Sequence, residues 1–159
     1  MPFGLLTSVF RYSFVITLFW LGFVVAISFV ETPIRFQIDT LEQADVLSIG
    51  HRLFHVLNYA EIVFAILVGC SLVVVRHKSL CNGVGVAVLL ILVFQTGLLF
   101  GVLDQRTLAK IAGQQLPDSP WHQFYVGLEL AKVMFLIALA TLQVRQFSRS
   151  VELNHSTSN

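Results

Sequence analysis

Residues 119–144 begin SPWHQFYVGLELAKV and then continue with almost no polar side chain. The stretch is long and apolar enough to cross a bilayer, since a helical span needs about 20 residues. Four of its side chains are spaced three, four and three residues apart, on one stripe of an α-helix: His122, Tyr125, Glu129 and Lys132. The stretch therefore predicts a membrane helix with polar and ionisable side chains along one face.

Ser119 and Pro120 mark the start of this helix, since serine is a good N-cap and proline suits the first helical position. If hydrocarbon begins near Phe124, Glu129 lies about 7 Å and Lys132 about 12 Å inside a core about 30 Å thick. An unpaired charge near the centre costs at least about 2.5–3.5 kcal/mol. We therefore expect both side chains to face the bundle interior and to find partners there.

The composition is that of an integral membrane protein in a lipid bilayer. Apolar residues make up 56% of the 159 residues, charged residues make up 12%, and the mean hydropathy is +0.80. A soluble domain carries about 25% charged residues. The formal net charge is +1 and there is no basic run, so no nucleic-acid partner is expected.

The apolar runs predict an all-α membrane protein with four transmembrane helices in an antiparallel up-down bundle. Pro33 should end the first span, because proline disfavours helical geometry at the residue before it. An amphipathic extension at Leu41–Ile49 should precede the second span. The expected spans are residues 9–31, 51–76, 83–106 and 120–144, within a single domain (1–148) that a polar, disordered tail (149–159) follows.

The polar residues are expected to gather in one half of the bundle. Four spans with short loops alternate in direction, so the ends of spans one and three meet the starts of spans two and four. On the third span, Gln95 and Arg106 share a face and Asp104 points elsewhere. The residues predicted to line a polar site are Glu31, Arg35, His51, His55, Asn58, Glu61, Gln95, Arg106, His122, Tyr125, Glu129 and Lys132.

Basic residues lie near both ends of the spans. Apart from Lys132, five lie on the side of the termini and four on the side of the polar site, which weakly favours cytoplasmic termini. Arg35, Arg52 and Arg106 are on the site side. They either anchor helix ends by snorkelling or bind an anionic headgroup or substrate.

Three short segments carry a resemblance to a known family: FVETPIRF (29–36), GHRLFHVLN (50–58) and LDQRT (103–107). They resemble bacterial members of the four-helix family typified by eukaryotic transmembrane protein 205. The resemblance implies a polytopic membrane protein. We expect it in a bacterial inner membrane, with both termini cytoplasmic on the charge bias. The family is largely of unknown function, its eukaryotic members are associated with platinum-drug resistance, and it supplies no catalytic residues.

Three histidines form a candidate metal site. His51 and His55 lie one helical turn apart, a spacing at which two imidazoles converge on one ion, and His122 starts the fourth span. The set could ligate haem or a transition metal. Alternatively, the histidines hydrogen-bond to lipid, loop or Asp104 at the headgroup level.

Lys132 has two candidate carboxylate partners, Glu129 on its own helix and Glu61 across the bundle. We expect one polar network that also includes His55 and Asn58, because the stripes on helices two and four reach similar depths. Two acids sharing one base would leave one carboxylate suited to accept and release a proton. The alternative is an ion pair that only fixes helix register.

Three classes of function remain open. The first is a small membrane protein with a polar cavity that binds, or helps to move, a small polar solute or ion. The second is a metal- or haem-dependent membrane redox protein, and the third is a structural or assembly subunit. One protomer encloses little volume, so transport would need a homo-oligomer or a membrane-complex partner, with Gly97 and Gly101 as a candidate contact.

Overall fold

A computed structural model of the protein describes residues 12–75, 78–117 and 119–156. Within these residues every regular element is helical, and four helices are long and apolar enough to cross a membrane. They are α1 (Ser13–Arg35), α2 (Gln43–Val74), α3 (Ser79–Ile111) and α4 (Trp121–Ser156). The predicted all-α fold with four spans is confirmed, and the chain is an integral membrane protein.

The helices form an antiparallel four-helix bundle. α1 packs against α2 and α4, and α3 also packs against α2 and α4. α2 and α4 therefore lie diagonally across the bundle. A side chain of α4 meets one of α2 only by reaching through the centre.

α1 continues past the predicted stop at Pro33 and ends at Arg35. Residues Val25–Glu31 form a π-helical segment just before the proline. Proline has no N–H to donate, and an interrupted α-helical ladder often adjusts through such a wider turn. The Thr32 hydroxyl donates to the carbonyl of Ile27 at 3.0 Å, which satisfies one backbone acceptor there.

The other boundaries also differ from the prediction. α2 begins at Gln43, so the extension expected at Leu41–Ile49 is largely part of one continuous helix. α3 continues beyond the span limit at residue 106 to Ile111, and Gly113 follows with a φ of 81°, a left-handed backbone that glycine adopts readily. α4 runs to Ser156 rather than 144, so residues 149–156 are helical rather than disordered. No glycine or proline interrupts the sequence after residue 127.

Half of the bundle has an ordinary apolar core. Its centre is formed by Trp20, Val24, Leu57, Val68, Cys81, Val88, Leu92, Leu136 and Leu139. Large apolar side chains also cover the outside, with Val73 87% and Phe19 68% exposed. An apolar exterior around buried charges is the arrangement expected of helices in lipid.

Candidate functional site

Lys132 lies at the centre of a buried polar cluster and is itself fully buried. Its Nζ is 2.5 Å from Glu61 Oε1 and 3.0 Å from Glu129 Oε2. It also donates to Gln95 Oε1 at 2.9 Å. We call Glu61, Gln95, Glu129 and Lys132 the buried ion cluster; each is at most 2% exposed.

Gln95 orients this cluster because it uses both ends of its amide. Its Oε1 accepts from Lys132, and its Nε2 donates to Glu129 Oε2 at 2.8 Å. Those two contacts fix the direction of the amide. Gln95 also opens a second π-helical segment, Gln95–Leu99, within α3.

Side chains of α1 complete the hydrogen bonding of the two carboxylates. Trp20 Nε1 donates to Glu61 Oε1 at 3.0 Å, and Ser28 Oγ donates to Glu129 Oε1 at 3.2 Å. Tyr125, one turn before Glu129 on α4, is also buried. All four helices therefore contribute, and Ser28 and Gln95 both come from π-helical segments, which often occur at functional sites.

The charges of the cluster do not balance when every group is ionised. Glu61 and Glu129 bring two negative charges, and Lys132 brings one positive charge. A buried charge is tolerated when it is paired and hydrogen-bonded. One carboxylate in excess of the ammonium is a site for one more positive charge.

A second cluster, which we call the His–Asp cluster, joins α2 to α3. His51 Nε2 and His55 Nε2 each lie 2.7 Å from the same oxygen of Asp104, Oδ1. The three side chains are 21%, 32% and 22% exposed. The hydrogen bonding to Asp104 that the sequence left open as the alternative to metal ligation is therefore present.

Asp104 points to a different neighbouring helix from Gln95, as expected, and the π-helical segment sets the angle between them. Gln95 and Asp104 are nine residues apart, which a regular helix places about 180° apart. The π turn contains one extra residue, which reduces this angle by about 100°, to about 80°. In a four-helix bundle, the two helices adjacent to any one helix lie in directions roughly 90° apart. Gln95 therefore meets α4 while Asp104 meets α2.

The structure does not bring His122 to His51 and His55. His122 is exposed, as are Trp121, Gln123 and Phe124, so the first turn of α4 lies outside the packed bundle. Among the described residues, the group able to share one ion is His51, His55 and Asp104, whose ligand atoms lie within 4.8 Å of one another.

The expected network across α2 and α4 is present in part. Lys132 joins Glu61 to Glu129 as predicted. Asn58 instead donates to Thr96 Oγ1 of α3 at 2.8 Å, and His55 belongs to the His–Asp cluster. Neither residue makes a described hydrogen bond to the buried ion cluster.

An aromatic layer lies between the two clusters along the helices. The Phe54 and Phe100 rings stack with centroids 4.8 Å apart, and Phe54 meets Tyr125 edge-on at 5.1 Å. His55 also meets Phe100 edge-on, at 4.9 Å. This layer could not be inferred from the sequence, since Phe54 and Phe100 are two of 14 phenylalanines.

The predicted arginines have different surroundings. Arg35 is buried at 7% exposure, lies 3.4 Å from Glu31, and packs so closely on Gly50 that a Cβ there would be 2.6 Å from its guanidinium. It is thus more than a snorkelling anchor. Arg106 donates to the carbonyl of Pro117 at 2.5 Å and ties the end of α3 to the loop before α4.

None of the predicted site residues lines the groove of about 380 Å³ between α1 and α4. Its lining is mainly apolar and lies at the level of the opposite half of the bundle: Leu18, Leu21, Ile137, Ala140, Thr141, Val144 and Arg145. The groove is suited to a lipid chain rather than to a polar solute.

No family model matches the chain, and neither a curated protein nor a solved structure matches it. The resemblance to the transmembrane protein 205 family therefore stays a prediction. The buried ion cluster and the His–Asp cluster are therefore the features that bear on function.

Proposed function

We propose that this membrane protein binds a proton at the buried ion cluster and helps to move it through one half of the membrane. The observation that carries the proposal is the contact of one fully buried ammonium, Lys132, with the carboxylates of both Glu61 and Glu129. Ionisable groups within a membrane are functional candidates by default.

The charge balance of the cluster favours an exchangeable positive charge. With all three groups ionised the cluster carries one uncompensated negative charge, which costs at least about 2.5–3.5 kcal/mol near the bilayer centre. A proton or a small cation would remove it. Because Glu61, Glu129 and Lys132 are at most 2% exposed, a proton is the occupant that this packing admits.

Polar side chains lead from the membrane face toward this cluster. The His–Asp cluster comes first, Asn58 and Thr96 lie deeper, and Tyr125 lies one turn before Glu129. The aromatic layer interrupts this route. Proton exchange is therefore expected to need a rearrangement of the rings or the entry of transient water.

Movement across the whole membrane would need more than one protomer. Gly97 and Gly101 are exposed on α3, and a Cβ at either would meet no atom within 4 Å. They give no close approach inside the protomer, so their small-residue spacing supports a contact with a second copy or another membrane protein. We also propose the bacterial inner membrane and cytoplasmic termini, which a C-terminal fluorescent or phosphatase fusion would test.

The test of function is proton flux into liposomes that contain the purified protein and an internal pH dye. A potassium gradient with valinomycin supplies the potential. We expect flux in the wild type and a loss of at least about tenfold in Glu61→Gln and in Glu129→Gln, in line with the contribution of proton-transferring groups. Glu42→Gln is the matched control, because Glu42 is an exposed carboxylate just before α2.

Two results would overturn the proposal. One is wild-type flux no greater than that of empty liposomes. The other is equal flux in the Glu42, Glu61 and Glu129 variants. If the cluster variants lower only the amount of folded protein and the wild type moves no proton, the structural-subunit function replaces the proposed one.

A further inference from the structure

The His–Asp cluster has a feature that a simple hydrogen bond between helices does not require. Two imidazole nitrogens from successive turns of α2, His51 Nε2 and His55 Nε2, converge on a single oxygen of Asp104. The rings meet edge-on with centroids 4.7 Å apart, so neither blocks the other. Three donor atoms of different side chains thus surround one point.

The spacing of these atoms is close to that of a metal site. Zinc binds histidine nitrogen and carboxylate oxygen at about 2.0–2.2 Å, so two ligands of a tetrahedral ion are about 3.3 Å apart. The two observed nitrogen-to-oxygen distances are 2.7 Å, and the three donor atoms lie within 4.8 Å of one another. Widening each nitrogen-to-oxygen distance by about 0.6 Å would bring it to the tetrahedral value.

The ligand types select a class of metal. Imidazole suits zinc, copper, iron and nickel, and two histidines with one carboxylate are the protein ligands of many zinc and iron(II) sites. Three protein ligands leave at least one coordination position for water or a substrate. The side chains are 21–32% exposed, so an ion can arrive from the aqueous side.

We propose that His51, His55 and Asp104 form a site for one divalent transition-metal ion of the zinc class at one membrane face, with an open coordination position. The site is separate from the buried ion cluster. On α2, Glu61 lies six residues beyond His55, a rise of about 9 Å. The proposed metal site also links α2 to α3, so the ion would stabilise the contact of these two helices.

The test uses the full chain in lipid nanodiscs with Zn²⁺ as the probe. Calorimetry and elemental analysis after dialysis should give one Zn²⁺ per chain. His51→Ala, His55→Ala and Asp104→Asn should each weaken binding at least about 100-fold, since changes even in the outer shell of a metal site cost about 10–100-fold. Co²⁺ in place of Zn²⁺ should give a visible absorption spectrum that the three variants lack.

Three variants serve as controls. His122→Ala removes an exposed histidine near the same membrane face and should leave Zn²⁺ affinity unchanged. Asp104→Glu keeps a carboxylate and should retain part of the affinity. Glu129→Gln should bind Zn²⁺ like the wild type, because it changes only the buried ion cluster.

Thermal unfolding separates loss of the site from loss of the fold. Zn²⁺ should raise the unfolding temperature of the wild type and of His122→Ala, and should not raise that of His51→Ala or Asp104→Asn. The proposal is overturned if the wild type takes up no stoichiometric Zn²⁺. It is equally overturned if His122→Ala weakens binding as much as His51→Ala does.

Discussion

Replacing Lys132 by Met removes the ammonium that holds Glu61, Gln95 and Glu129 together. The two carboxylates then stay buried without a counter-charge, and the amide oxygen of Gln95 loses its donor. Breaking a buried ion pair by removing one partner costs about 3–5 kcal/mol. For a chain of this length 1 kcal/mol shifts the unfolding temperature by about 2–4 °C, so we expect a loss of about 6–20 °C.

Adding Glu129→Gln to Lys132→Met should restore part of this loss, because one of the stranded charges is removed. Contacting residues of this kind show coupling energies of about 0.5–3 kcal/mol in double-mutant cycles. The measurement is thermal unfolding in one detergent for the wild type, the single variants and the double variant. Lys110→Met is the matched control, since Lys110 is exposed.

The reasoning fails if Lys132→Met and the double variant lose equal stability. It also fails if Lys132→Met is no less stable than Lys110→Met, because a fully buried ammonium with three partners cannot then be structurally important.

Two further predictions concern other contacts of the bundle. Gly50→Ala should cost about 0–2 kcal/mol, because its Cβ would lie 2.6 Å from the flexible end of Arg35 and overpacking costs about 1–3 kcal/mol, while Ala in place of Gly within a helix gains about 1 kcal/mol. Gly22→Ala, where a Cβ meets nothing within 4 Å, should instead be neutral or stabilising, and equal losses for the two variants in thermal unfolding would contradict this prediction. Thr17→Val should cost about 0.6–1.7 kcal/mol, because the Thr17 hydroxyl donates to Gln143 Oε1 at 2.8 Å in the half of the bundle away from the site. A Thr17→Val variant as stable as the wild type, in the same measurement, would show that this hydrogen bond adds nothing.

The sequence was sufficient for the number of helices and for the central ion pair. Span number follows from apolar run length, because lipid demands an unbroken helix of about 20 residues. The contacts of Lys132 with Glu61 and Glu129 follow from depth, since charges far inside a membrane helix must turn inward and meet. Both inferences depend on distance along a helix, which follows directly from the number of residues.

Rotation about a helix is harder to infer. Ser28 and Gln95 reach Glu129 from π-helical segments, whose extra residue changes the direction of each following side chain. The same effect brings Asp104 to the histidines. His122 lies on the same stripe as Glu129, but in an exposed first turn. The spacing of residues predicts which face of a helix they share, and not how far along the helix its neighbours pack.

The direction of the α3 side chains that follow the π-helical segment Gln95–Leu99 depends on how many residues the segment contains, more than on which residues they are. Leu98 is exposed, so many apolar side chains should be accepted at this position. Deleting Gly97 or Leu98 would restore a regular turn and rotate the side chains beyond it by about 100°. Gln95 and Asp104 could not then both keep their partners, so in homologous chains we expect substitutions here to be frequent and length changes to be rare.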